Sequence, residues 1–108
     1  MAILETVDDA STAYLEVSFY DEDGSPVTPT SITYRIDTDT GTQIRSNTSI
    51  SPAPTVTITL TRDDNKCLTT SDQVNIVTIQ AVWSTNNQII SEYRYIVKHI
   101  PKRNLLYT

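Results

Sequence analysis

The sequence predicts an all-β sandwich of about seven antiparallel strands, and three observations carry that expectation. Apolar and polar residues alternate with a period of two through most of the chain, turn-forming residues recur roughly every 8–14 positions, and no stretch shows an extended helical period. Such alternation marks a strand buried on one face, since a strand covered on both faces reads as continuously apolar.

A short first strand is expected within Ile3–Val7. In TAYLEVSFY, Ala13, Leu15, Val17 and Phe19 share one face, while Tyr14, Glu16 and Ser18 share the other. In SITYRID, Ile32, Tyr34 and Ile36 oppose Thr33, Arg35 and Asp37. A second short strand is expected around Thr42–Ser46. TVTITLT is the cleanest segment, with Val56, Ile58 and Leu60 on one side and four threonines on the other. VNIVTIQAVWS places Val77, Ile79, Ala81 and Trp83 in one phase and Val74 and Ile76 in the other, so a bulge or phase change is expected near Ile76. QIISEYRYIVKHI aligns Ile89, Tyr93, Tyr95 and Val97, with Ser91 interrupting the stripe.

The connectors differ chemically. Asp39-Thr40-Gly41 supplies a tight turn, because glycine accepts positive φ. Pro52-Ala53-Pro54 holds an extended link that cannot donate to a ladder, and STNNQ (84–88) reads as a hairpin loop. The connector 62–73 is long enough for one helical turn, with Thr61 or Asp63 as its N-cap. These elements fit a sandwich of the immunoglobulin or fibronectin type III kind; a small closed barrel is the alternative. The chain lacks a Cys…Trp…Cys pattern, which excludes an antibody-type domain, and Trp83 is expected to cap one end of the core.

At 108 residues the chain makes one domain, read here as 1–100 with a C-terminal tail at 101–108. A chain of this size buries roughly 65% of its unfolded surface without a metal or disulfide staple. Eighteen threonines against 7% aromatics point to strands with one wet face. Cys67 is the single cysteine, so no intrachain disulfide forms. MAILETVDDAST has neither a basic nor an apolar leader region, and no run approaches the ~20 apolar residues of a membrane helix, so neither signal peptide nor membrane contact is expected. Asn47-Thr48-Ser49 fits a glycosylation sequon but reads as a polar loop. The net charge of −5 divides into −7 over residues 1–54 and +2 over 55–108. The acidic half disfavours nucleic acid, and the basic run from Lys98 to Arg103 is too short to track phosphates.

Residues 19–36, FYDEDGSPVTPTSITYRI, set three carboxylates beside a glycine. A calcium-binding EF-hand loop needs acids at alternate positions and a glutamate six residues beyond its glycine. Gly24 follows Asp23 directly, and no glutamate follows in time, so the stretch is read as a turn. Asp21 and Asp23, joined by Asp63 or Asp64 from another loop, remain the weak metal alternative. Nucleophilic catalysis would need Cys67 and His99 in contact with an orienting third group, and nothing in their spacing brings them together. Asp8-Asp9 and Asp63-Asp64 are adjacent pairs whose side chains diverge on a strand. No phosphate-cradling loop is possible with two glycines. The expectation is a non-enzyme without cofactor. Tyr14 and Tyr20 lie out of phase with their strand's apolar stripe and are read as cross-strand packing, with sugar stacking as the alternative. Beyond Pro101, Lys102, Arg103, Leu105, Leu106 and Tyr107 form a basic and apolar tail suited either to a neighbouring subunit or to folding back on its own domain.

DEDGSPVTP followed by SITYRI resembles the Asp-x-x-Gly-x-Pro-Val turn of bacterial and phage immunoglobulin-like domains. Together with SPAPTVTITLTRDDN and EYRYIVKHI, it makes residues 12–100 similar to small immunoglobulin-like virion proteins of tailed bacteriophages. That resemblance implies a non-enzymatic structural protein of the virion, assembled in the bacterial host cytoplasm: a capsid decoration or cement protein, or a head–tail accessory. Its implied partners are the major capsid protein, head–tail proteins or further copies of itself, and the family has no catalytic residues to carry over.

Overall fold

The computed structural model describes residues 5–84 and 87–101. Seven strands follow one another: β1 (Glu5–Asp8), β2 (Ala13–Ser18), β3 (Ser31–Thr38), β4 (Gln43–Ile50), β5 (Thr55–Leu60), β6 (Gln73–Ser84) and β7 (Asn87–Lys98). Five form one sheet in the order β1-β7-β6-β3-β4, and β2 pairs with β5 in a second, two-stranded sheet. Every pairing is antiparallel except β1–β7, which is parallel, with Glu5 opposite Tyr95 and Asp8 opposite Lys98. This departs from the all-antiparallel expectation. Alternation reports which face of a strand is buried but not the direction in which the strand runs past a distant neighbour.

The core fills the space between the sheets with the residues the alternation picks out. From the large sheet come Ile32, Tyr34, Ile36, Val77, Ile79, Ala81, Tyr95 and Val97, and from the small sheet and its continuation come Val56, Ile58, Leu60 and Phe19. Ladder register stacks these side chains in rows: Ile32 opposes Ala81, Tyr34 opposes Ile79 and Ile36 opposes Val77. On the facing layer Leu15 opposes Ile58 and Val17 opposes Val56. Cys67, from the β5–β6 connector, is also part of this core. Trp83 packs against the cluster half-buried, at the end of β6, beside Asp21 and Glu22.

Three local expectations are corrected. β4 runs eight residues, to Ile50, so Asn47-Thr48-Ser49 is edge strand rather than loop. Its run of polar residues hides a strand that borrows its ladder from β3 and is bulged opposite Tyr34–Asp37. β6 keeps one phase through Ile76, because the inward position before Val77 is filled by Asn75, which is fully buried. Its register shift lies instead between Val82 and Ser84. An inward asparagine breaks the hydrophobic pattern without breaking the strand.

Two of the expected turns form, and the centre of the hairpin loop expected at 84–88 lies outside the described residues. Gly41 has φ 95° and donates its N–H to the Thr38 carbonyl at 3.0 Å. At the start of the long connector, Thr61 caps one hydrogen-bonded turn. The Asn65 N–H reaches the Thr61 carbonyl at 3.1 Å, the Asp64 N–H donates to Thr61 Oγ1 at 3.3 Å, and the Thr61 N–H donates back to Asp64 Oδ2 at 2.9 Å. This is the reciprocal arrangement of a capping box, with aspartate in place of glutamate.

Candidate functional site

The most apolar opening in the sandwich follows from unequal sheets. Two strands cannot cover five, and beyond the end of β2 the long β6–β7 hairpin meets the β2–β3 connector, where Asp21 and Glu22 stand beside Trp83 and Asn87. Between β2 and this hairpin lies a groove of about 240 Å³ lined chiefly by Val17, Phe19, Ile79, Ala81 and Ile89, with Tyr20 at its rim. Alongside it, β1 pairs only with Tyr95–Lys98. Among the described residues, the outer edge of β7 from Asn87 to Arg94 therefore has no strand partner.

Its sequence, NQIISEYR, lacks the devices that normally blunt an edge: there is no proline or lysine, and the first charge is Glu92. Ile89 borders the groove at 40% exposure, and Ile90 stands on the opposite face of the sheet at 61%. An extended segment added to this edge would find apolar contact on both faces and unpaired backbone groups between them. The opposite edge of the sheet, β4, is polar and bulged and offers no such combination.

Tyr14, on the outer face of β2, is 71% exposed, and Tyr20, two residues beyond that strand, is 55% exposed. Six residues along a strand separate their Cα atoms by roughly 20 Å, so the two rings do not form a single stacking platform. Tyr20 belongs with the groove.

The acidic stretch is a turn. Asp21 Oδ1 accepts the N–H groups of Asp23 (2.9 Å) and Ser25 (3.0 Å), and the Gly24 N–H donates to the Asp21 carbonyl at 3.0 Å. Gly24 sits at φ 82° with open space where a Cβ would stand. Replacing it by alanine is expected to cost about 1 kcal/mol from backbone strain alone, read as a shift of roughly 4 °C in thermal midpoint. Asp64, offered as a distant ligand for this loop, is instead buried against Arg45, with Nη2 to Oδ2 at 2.8 Å. That contact raises the Arg45 pKa above its ordinary value.

Sequence spacing gave no reason to unite Cys67 and His99, yet the fold does so and adds Asp9. Their potential ligand atoms lie within 4.8 Å of one another, and among the described residues no other such group of three or more occurs. They come from the residue after β1, the β5–β6 connector and the residue after β7, so only long-range packing brings them together. Asp9 Oδ1 accepts the Cys67 N–H at 3.0 Å and Oδ2 accepts the Ile100 N–H at 3.3 Å. The Cys67 thiol donates to the Val97 carbonyl at 3.6 Å. His99 Nδ1 stands 3.3 Å from Asp9 Oδ2 but is not aligned for a hydrogen bond. Cys67 is 2% exposed, so its sulfur cannot meet a substrate without local opening. The tail residues Lys102, Arg103, Leu105, Leu106 and Tyr107 lie outside the described residues.

No family model matches the chain, and no curated protein does. Among solved structures, the crystal structure of the periplasmic chaperone SfaE superposes with a TM-score of 0.61 at 14% identity. The match covers 91% of this chain and 56% of the chaperone chain, so this protein spans little more than half of that one. The strand run β7-β6-β3-β4 also reproduces the G-F-C-C′ order of variable-type domains. The fold is an immunoglobulin-like β-sandwich. At this identity the likeness speaks to fold alone.

Proposed function

We propose that the protein is a non-enzymatic structural component of a tailed-bacteriophage virion, of the capsid decoration, cement or head–tail accessory kind. It holds another virion protein by pairing an extended segment of that partner with β7. The observation that carries this reading is that, among the described residues, the β7 edge at Asn87–Arg94 has no strand partner and is flanked by exposed Ile89 and Ile90 and by the apolar groove. The phage resemblance in residues 12–100 supplies the virion context. The burial of Cys67 supports a role without covalent chemistry.

Cosedimentation of the purified chain with particles lacking it tests the reading. Ile90→Asp, at a surface position, is expected to change stability by no more than about 0.5 kcal/mol while reducing particle binding at least tenfold. A chain that stays monomeric and shows no affinity for capsids or tail parts would sink the proposal, as would undiminished binding by an Ile89→Asp/Ile90→Asp variant. A glycan-binding or host-adhesion module is the second reading, favoured only by the exposure of Tyr14 and Tyr20. It expects specific retention on a glycan array that is lost on Tyr14→Ala or Tyr20→Ala.

A further inference from the structure

We propose that Asp9, Cys67 and His99 form a zinc site that fastens the first strand, the long connector and the end of the last strand to one another. Three kinds of observation converge. The donor set of one thiol, one imidazole and one carboxylate is a combination zinc accepts, and the atoms already lie within 4.8 Å of one another. Tetrahedral zinc with bonds of about 2.0–2.3 Å separates its ligands by about 3.3–3.8 Å. Closure therefore needs a movement of about 1 Å.

The carboxylate is pre-oriented. Asp9 has a fully buried side chain held by the backbone N–H groups of Cys67 and Ile100, which is how outer-shell partners aim a ligand at a metal. The next residue, Ala10, has φ 60°, a left-handed conformation that a residue with a Cβ adopts only under constraint. Its N–H is tied to the Asn65 carbonyl at 2.7 Å, so the bend presenting Asp9 is locked from the connector side.

His99 supplies the observation that points to a ligand. Its Nδ1 is buried and stands 3.3 Å from Asp9 Oδ2, yet among the described residues it makes no hydrogen bond, an incomplete pairing that is costly for a buried imidazole nitrogen. A metal ion on Nδ1 would satisfy it. On binding, the Cys67 thiol gives up its hydrogen bond to Val97 and releases one proton to solvent. The thiolate and the Asp9 carboxylate then cancel the double charge of the ion, leaving a neutral cluster suited to the interior. The fourth ligand would be a water that enters along the His99 side chain, which is 19% exposed.

The chain holds one cysteine and one histidine, so spectroscopic signals from either are assigned without ambiguity. The test is titration of the chelator-treated, full-length chain with CoCl2 and with ZnCl2. The expected result is one ion per chain, a thiolate-to-cobalt charge-transfer band in the near ultraviolet and visible bands of tetrahedral intensity. ZnCl2 at a hundredfold excess over Kd is expected to raise the thermal midpoint by roughly 10 °C. Cys67→Ser should abolish the charge-transfer band, and His99→Gln should weaken metal affinity at least tenfold. His99 lies at the rim, so His99→Gln remains informative if Cys67→Ser does not fold. The proposal is overturned if the wild-type chain shows no thiolate band, or if His99→Gln binds cobalt as tightly as wild type. Its outcome is independent of particle binding by the β7 edge.

Discussion

Replacing Asp64 by asparagine is expected to destabilise the fold by about 3 kcal/mol, a fall of roughly 10–15 °C in thermal midpoint. Asp64 is 3% exposed and makes a two-pronged contact with Arg45, Nε to Oδ1 at 3.0 Å and Nη2 to Oδ2 at 2.8 Å. Its Oδ2 also accepts the Thr61 backbone N–H at 2.9 Å and the Thr61 hydroxyl at 3.0 Å. An amide presents a donor to at least one of these donors. Arg45 keeps 31% of its side chain in solvent and recovers part of its hydration, which places the loss at the lower end of the range for broken buried pairs. Urea denaturation measures the effect as a lowered midpoint with unchanged slope. A loss below about 1 kcal/mol would show that the carboxylate charge contributes little beyond an ordinary neutral hydrogen bond. Adding Arg45→Met should recover part of the loss by removing the donor–donor conflict, a coupling of roughly 1 kcal/mol.

The second large effect lies at Tyr95. Its ring is fully buried, its hydroxyl donates to Asn65 Oδ1 at 2.6 Å, and it accepts a hydrogen bond from Asn75 Nδ2 at 3.1 Å. The two asparagines are themselves buried, with Asn65 Nδ2 bonded to the Ser11 and Leu60 carbonyls and Asn75 Nδ2 to the Asp64 carbonyl. Tyr95→Phe leaves an amide oxygen and an N–H unpaired inside the sandwich. It should therefore cost about 1–3 kcal/mol at neutral pH.

The same tyrosine governs alkaline stability. Burial pushes its pKa up to about 12, against an ordinary value of 10.0, with the Asp64 charge acting in the same direction and the Asn75 hydrogen bond opposing. A phenol whose folded pKa lies above its unfolded one contributes fully below the unfolded value, and that contribution is lost as pH rises through the folded value. Stability is thus expected to fall by on the order of 3 kcal/mol between about pH 10 and pH 12. Tyr93, raised chiefly by burial and further by Glu5, adds to the same slope. In Tyr95→Phe the alkaline loss should be visibly shallower than in wild type. Equal slopes in the two proteins would show that the buried phenol does not control it.

Particular residues show how far the chain could be read before folding. TVTITL is buried and exposed in strict alternation because each threonine hydroxyl meets water and each aliphatic side chain meets the opposite sheet. Gly24, Gly41 and Thr61 stand where backbone chemistry requires them, since positive φ and helix-turn capping are local demands. Asn65 and Asn75 were not legible as core. Their polarity signals a loop or a phase change until the tyrosine that satisfies them is brought alongside. The Ile89-Ile90 pair read as ordinary strand, because its exposure depends on which distant segments pack beside it, and β2 ends at Ser18.

The sequence alone determined the all-β class, the strand faces and the turns, because these depend on neighbours within a few residues and on a period of two. The tertiary structure decided the parallel β1–β7 pairing and the five-against-two division of strands that opens the groove. It also decided the meeting of Asp9, Cys67 and His99, which are separated in sequence by 58 and 32 residues. Such contacts arise only when distant segments share one end of a packed core, and no local spacing encodes them.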